Sequence, residues 1–335
     1  MKEALFYKKL KDNKVQCLLC PRECIIPEGK MGFCKVRKNI KGKLTAVVYS
    51  RPCSIQIDPI EKKPLFHFLP GHKSFSIGTT GCNLACKHCQ NYTTSQAYPE
   101  EFLGYDLTPE KAVSEAIKND CKSIAYTYNE PSIFYEYVFD TAKIARQSKL
   151  KNVMVTNGFI NPEPFKQLYK YIDGANVDLK AFDDKFYREI TTAWLEPVLT
   201  TLKNLKKTNT WFEITNLIIP TLNDDLKQIK KMCEWIKAEL GLDVPLHFTA
   251  FYPTYKLTNL PSTSPEILIK ARNIALKLGL HFVYVGNTYV EGAENTYCPK
   301  CKELLIERRG FIILQNKIKD GKCFSCNTKI AGVWE

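Results

Sequence analysis

The chain has 335 residues, 44% hydrophobic and 25% charged, with a net charge of +13. That length exceeds one ordinary domain of about 100–200 residues, and the composition excludes a disordered polyelectrolyte. No apolar stretch approaches the ~20 residues of a membrane-crossing helix. Met1-Lys2-Glu3-Ala4-Leu5-Phe6-Tyr7 runs into lysines without the apolar segment of a secretion signal, so a cytoplasmic location is expected. The charge is uneven, with +8 over residues 1–43 and +4 over 298–335. Two such basic ends suit a solvated lysine-rich surface or, as the weaker alternative, nucleic acid.

In chain order, residues 1–50 carry Cys17-x2-Cys20-x3-Cys24-x9-Cys34 among Gly29, Gly32 and basic residues. Four thiolates in that window predict an N-terminal metal-binding module, for Zn2+ or an auxiliary iron–sulfur cluster. Residues 51–290 alternate short β-rich runs with longer helical patterns. Strands are predicted at Ser74–Gly78, Lys122–Tyr126, Asn152–Thr156, Ala175–Leu179, Phe212–Ile218 and Leu246–Thr249. The intervening helices are expected at Pro109–Asn119, Ser132–Lys149, Pro162–Tyr171, the stretch up to Lys206, Asp224–Leu240 and Pro265–Leu278. His281–Val285 reads as one further strand. Thr108-Pro109, Asn161-Pro162 and Ser264-Pro265 each place a capping residue before a proline suited to a first turn. Repeated βα units imply an α/β fold with a parallel sheet, open or closed, whose functional residues lie at the C-terminal strand ends. Residues 291–335 carry Cys298-x2-Cys301-x21-Cys323-x2-Cys326 around a β-rich hairpin. Two such knuckles form a closed tetrahedral site of the zinc-ribbon kind, with iron as the alternative.

The most informative segment is Gly81-Cys82-Asn83-Leu84-Ala85-Cys86-Lys87-His88-Cys89-Gln90-Asn91, which directly follows the first predicted strand and a Thr-Thr-Gly turn. Electron-transfer [4Fe–4S] clusters take four cysteines, so three thiolates leave one iron open for chemistry. A zinc loop with a remote fourth ligand is the competing reading.

This segment resembles the signature of the radical S-adenosylmethionine (SAM) superfamily. The resemblance implies a partial (β/α)6 barrel and a [4Fe–4S] cluster on Cys82, Cys86 and Cys89. It also implies reductive cleavage of SAM, with a reduced ferredoxin or flavodoxin-type electron donor. His88 holds the position that the family gives to a flat residue near the adenine. Tyr128-Asn129-Glu130 matches the segment that binds the methionyl amino group, with Glu130 as the acid and Tyr128-Asn129 where the family has two glycines. Val155-Thr156-Asn157-Gly158 and Asp178-Leu179-Lys180 resemble segments of pyruvate formate-lyase activating enzymes, with Val155 in place of a cofactor-contacting Asp. Thr156, Asn157, Asp178 and Lys180 are therefore expected cofactor residues. Leu217–Asp224 resembles a further loop of that group. His247 and Tyr252, on and just after the sixth predicted strand, complete the candidates. Asp58–Phe68 is reminiscent of the same enzymes. Together with the flanking cysteine modules, the chain looks like the radical enzymes of the AmmeMemoRadiSam system, which implies AMMECR-type and Memo-like partners. The substrate is expected to be a glycyl-radical-type protein or a small molecule. A zinc-ribbon nucleic-acid binder is the alternative from another class.

Overall fold

The computed structural model describes residues 1–335. Its centre is one eight-stranded sheet, comprising β1 (Ser54–Pro59), β2 (Lys73–Gly78), β3 (Ser123–Tyr126), β4 (Lys151–Thr156), β5 (Gly174–Asp178), β6 (Trp211–Ile218), β7 (Leu246–Ala250) and β8 (Val283–Gly286). The strands lie in sequence order; β1 is antiparallel to β2 and every other pair is parallel. Parallel neighbours need crossovers, and these are α1 (Pro109–Lys118), α2 (Tyr135–Gln147), α3 (Pro162–Leu168), α4 (Glu196–Leu205), α5 (Leu226–Glu239) and α6 (Pro265–Lys277). β1 and β8 have no second partner, so the barrel is partial, as expected. β8 is the predicted seventh parallel strand.

Proline occupies the first turn of α1, α3 and α6, but only one expected cap forms. Thr108 accepts from the Lys111 amide, whereas Asn161 spends its amide on the Leu18 carbonyl and Ser264 makes no cap bond. β1 was not legible in the sequence. It is an edge strand with half-exposed Ile55 and Ile57, and it ends in Asp58-Pro59.

The N-terminal residues form two small three-stranded sheets. Val15, Leu19 and Val36 of this N-terminal lobe join the same buried apolar cluster as barrel residues Ile77, Ile124 and Ile214. The C-terminal residues form a hairpin, Leu304–Arg309 with Ile312–Asn316, and a second small ribbon. They pack Leu305, Ile306 and Ile330 against Phe66, Phe282 and Tyr284. No helix is long and apolar enough to cross a membrane.

The N-terminal lobe is pinned by a buried ion pair. Both Arg37 terminal nitrogens donate to Glu136 on α2, at 3.2 and 2.7 Å, and the Leu5 amide donates to the same carboxylate at 2.9 Å. Removing one member of such a pair strands the other charge, which costs about 3–5 kcal/mol. Glu136→Ala is expected to lower unfolding stability by about that amount, read by urea denaturation of the anaerobic protein.

Candidate functional site

Residues at the C-terminal ends of the strands enclose a cleft of about 540 Å³, within the ~300–1,000 Å³ range of small-ligand sites. The cysteine loop after β2 forms one wall, with Cys82, Cys86, His88 and Cys89 lining the cleft. Glu130 after β3, Thr156 and Asn157 at the end of β4, and Asp178 and Lys180 at the end of β5 line it too. Thr215 and Leu217 on β6 and His247 and Thr249 on β7 are spaced by two and so face the same side.

The loop is held by its neighbours rather than by its own secondary structure. The Ala85 and Lys87 amides donate to the Thr191 and Ile190 carbonyls of a π-turn, Tyr187–Thr191, at 3.1 and 2.9 Å. Asn157 Nδ2 donates to Asn83 Oδ1 at 2.8 Å, and Asn83 in turn donates to the Phe159 carbonyl. Gly81 has φ +82°, and a Cβ there would lie 2.2 Å from the Cys34 carbonyl oxygen, so this position admits only glycine. Burial pushes the Cys82 thiol well up and the Cys86 thiol up to about 12. Free thiols are thus disfavoured as anions here, and it is a metal that would make them thiolates. Cys89 Sγ meets Ser95 Oγ at 3.2 Å.

Lys180 Nζ donates to Asp178 Oδ2 at 2.9 Å. Burial opposes the Lys180 charge, but Asp178 and Cys86 outweigh it and raise its pKa, so a cation is fixed beside the cysteine loop. Asn223, whose part the sequence did not reveal, donates to the Lys180 and Leu217 carbonyls and holds both strand ends. Glu130 accepts from the Ser132 amide, the Thr156 hydroxyl and the Asn157 amide, each within 2.9 Å. Burial raises its pKa against those donors. A carboxylate offers about four acceptor positions, so one remains for a ligand. Tyr128 takes φ +72°, a conformation that suits glycine, and is held there by its hydroxyl donating to Asp58 at 2.8 Å. Asn129 donates to the Thr79 carbonyl and to Thr94 Oγ1. His88 is buried, its Nδ1 lacks a partner, and burial followed by the Lys180 charge lowers its pKa to about 3. It is a neutral, flat group in the cleft.

The structure does not bring Tyr252 to the cleft. It is 47% exposed, and its hydroxyl donates to the Asn287 carbonyl. His247 lines the cleft, but its Nε2 is bonded to Glu213 Oε2 at 2.6 Å. Unforeseen lining residues are Glu61 and Lys62, between β1 and β2, and Glu294 and Phe311 from the C-terminal region. Glu61 is buried, and its Oε2 has no partner. The Asp58–Phe68 segment signalled the first two, whereas nothing in the C-terminal sequence marked the others.

The two four-cysteine sets differ. The C-terminal sulfurs all lie within 4.8 Å of one another, and the pairs Cys298–Cys326 and Cys301–Cys323 are both 3.6 Å apart. A tetrahedral ion at ~2.3 Å from each sulfur requires about 3.8 Å between them, so the donors fit one ion. Neither Cys82, Cys86 and Cys89 nor any three of Cys17, Cys20, Cys24 and Cys34 converge so closely.

A strand-end cleft with a three-cysteine loop on a partial barrel defines a radical SAM protein, and the chain belongs to the radical SAM superfamily, whose model matches residues 76–236. The family implies a [4Fe–4S] cluster and SAM. An uncharacterized protein of Methanocaldococcus jannaschii is 49% identical over 332 residues, 98% of this chain and 99% of that one. The 4-hydroxyphenylacetate decarboxylase activating enzyme of Clostridium scatologenes is 24% identical over 163 residues, 45% of this chain and 52% of that one. The pyruvate formate-lyase-activating enzyme of Clostridium pasteurianum is 23% identical, over 47% of this chain and 66% of that one. Among solved structures, SuiB of Streptococcus suis bound to S-adenosylmethionine shares the fold with a TM-score of 0.51 and 13% identity, over 72% of this chain and 56% of that one.

Below the cleft, His67 meets the Tyr284 hydroxyl and the Ala331 carbonyl, and burial pushes its pKa down to about 4. Between pH ~6.5 and ~4 the unfolded chain binds a proton that folded His67 refuses. His67 is therefore expected to lower stability on acidification through this window by about 1.4 kcal/mol per pH unit, on top of any contribution from His88. His67→Gln should remove that share of the slope, measured by urea unfolding at a series of pH values.

Proposed function

We propose that the cleft is a radical SAM active site in which Cys82, Cys86 and Cys89 each bind one iron of a [4Fe–4S] cluster, leaving the fourth iron to SAM. The observation that carries this is the convergence, in one cleft, of three thiols without a fourth and a fixed Lys180–Asp178 pair. The donor set fits the group: soft thiols suit iron, and the charged and polar groups around them suit the zwitterionic end of SAM. When bound, the cluster supplies one electron that opens the sulfonium to a 5′-deoxyadenosyl radical. Lys180 neutralises the methionyl carboxylate, with Asp178 orienting its ammonium. Glu130 offers its remaining acceptor position to the methionyl amino group, and Asn129 shapes that turn. His88 presents its unpartnered Nδ1 and flat ring to the adenine. Thr156 and Asn157 are positioning residues, since they hold Glu130 and the cysteine loop. His247, fixed by Glu213, forms the cleft wall.

The radical removes hydrogen from a substrate, and the distant activating-enzyme relatives support a glycyl-radical-type protein partner. A small-molecule substrate is the second reading, favoured by the C-terminal module lending Glu294 and Phe311 to the cleft wall. A stable protein-bound doublet in the electron paramagnetic resonance (EPR) of a partner supports the first, and a mass change in a metabolite extract the second. The electron donor is of the reduced ferredoxin or flavodoxin type, AMMECR-type and Memo-like proteins are the candidate partners, and the setting is cytoplasmic. Cys298, Cys301, Cys323 and Cys326 hold a structural Zn2+, on the strength of their tetrahedral spacing.

Cys86→Ala is expected to lose about four irons and abolish reductive SAM cleavage. Lys180→Met should keep the iron and weaken SAM binding by at least about tenfold, or ~1.4 kcal/mol, by anaerobic equilibrium binding. Zinc alone at the Cys82 loop would overturn the assignment. Separately, Cys298→Ser is expected to lose about one zinc per chain by elemental analysis.

A further inference from the structure

The groups assigned to the cofactor follow the C-terminal ends of β2 to β5, and the same cleft has a second flank that they leave unused. Glu61 lies in the turn Ile60–Lys62 between β1 and β2, where the Ile60 amide donates to the His72 carbonyl at 2.9 Å. It therefore stands at the foot of β2, whereas the cysteine loop follows its head. β2 has six residues, so roughly 17–20 Å of strand lies between the two.

β1 and β8 are the free edges of the sheet, and the C-terminal module spans the seam between them. The Leu69 amide donates to the Val333 carbonyl at 2.7 Å, and a Cβ on Gly71 would sit 3.7 Å from Ile313 Cγ1. On the other side, the Val285 amide of β8 donates to the Ala293 carbonyl at 3.1 Å, which sets Glu294 beside that strand. Glu61, Glu294 and Phe311 line the cleft from this seam.

The lysines of this flank are already spent. Lys62 and Lys63 donate to the two oxygens of Asp58 at 2.9 and 2.6 Å, and the Tyr128 hydroxyl donates to the same carboxylate. Glu61 has no such partner. It is 0% exposed; its Oε1 accepts from the Gly71 amide at 2.8 Å, and its Oε2 accepts from nothing. The charge of Arg308 reaches Glu61, Glu213 and Glu294 alike, but its hydrogen bonds go to Thr296 and to the Glu294 and Phe66 carbonyls. One guanidinium thus serves three carboxylates. Of these Glu213 is fully bonded, whereas Glu294 accepts from the Gly310 amide at 2.9 Å through Oε2 alone. A buried acceptor without a donor is costly, and this one calls for a donor that the chain itself does not supply.

We infer that Glu61, with Glu294, selects the substrate by binding a protonated basic nitrogen, an ammonium or amidinium group. Charge-assisted hydrogen bonds to a carboxylate are the strong kind, and the Phe311 ring adds an aromatic surface that suits a cation. Lys180 is the cation at the other end, so the cleft carries opposite charges at its two ends and orients what lies between them. A substrate held by its basic group at the seam extends its C–H toward the cysteine loop. The assignment rests on the radical SAM reading of the cleft. The same basic group occurs on a free amine and on a side chain of a polypeptide.

The test uses the anaerobically reconstituted full chain loaded with SAM. The probes are n-pentylammonium and Nα-acetyl-lysine methylamide, each titrated beside its neutral counterpart, n-pentanol and Nα-acetyl-norleucine methylamide, by saturation-transfer NMR. At least one cation is expected to bind about tenfold or more tighter than its counterpart. Preference for the lysine probe identifies a polypeptide side chain as the source, and preference for n-pentylammonium a free amine. Glu61→Gln should cut the affinity for that cation by about tenfold and leave the affinity for SAM unchanged. Glu294→Gln should cut it by a smaller factor, and this carries the test if the first variant fails to fold. Cations no tighter than their neutral counterparts, including no binding by either, would overturn the site. So would a Glu61→Gln protein that binds the cation as well as the wild type, or one that loses SAM as well. A chain that binds neither iron nor SAM yet still prefers the cation would instead sink the radical SAM assignment and leave the cation site standing.

Discussion

The architecture hangs on a carboxylate with no access to water. Glu213 on β6 accepts from the Phe66 and His67 amides, from Trp211 Nε1 and from His247 Nε2, all within 3.0 Å. Burial alone would raise its pKa, yet the His247 bond and the neighbouring His67 hold it low, so it stays a fixed charge inside the barrel. An uncompensated charge there would cost several kcal/mol, which makes these four donors obligatory. They draw the Pro64–Phe68 segment across the base of the barrel. Once that segment is in place, the C-terminal module has a socket. Arg308 donates to the Phe66 carbonyl and to Thr296, and His67 reaches Tyr284 and Ala331. The segment and the C-terminal module thereby cover the base of the barrel, opposite the strand ends that carry the site.

At the open end the cysteine loop is clamped by the π-turn and by Arg22 and Cys34 of the N-terminal lobe from outside the cleft, and by Asn157 from its rim. The inner side carries the groups left for ligands: Lys180 with Asp178, the free acceptor position of Glu130, and the unpartnered nitrogen of His88. Supports and contacts are different residues. This allows the contacts to be polar and incompletely bonded without loosening the loop.

The sequence made the central site legible because its signals are local. A three-cysteine spacing, a strand-end Asp-Leu-Lys and an acid before Pro131 sit within short segments, and the βα alternation places them all at one end. What was illegible depends on separation in space. Glu213 gives no sign in the sequence that its donors lie near residues 66 and 247. Asn161 follows a capping pattern, yet its side chain is claimed by Leu18, 143 residues away. Tyr252 follows the correct strand but turns to Asn287, because the chain has already left the barrel wall.

The N-terminal lobe also sets an order of events on the ribosome. Arg37 waits 99 residues for Glu136, and Arg22 waits 170 residues for Thr192. The first segment to emerge thus settles only after segments made much later are in place. Contacts of such range slow folding, since long loops must close before they are rewarded. The lobe's seat is therefore assembled in stages, on Glu136 first and only later on the turn that carries Thr192.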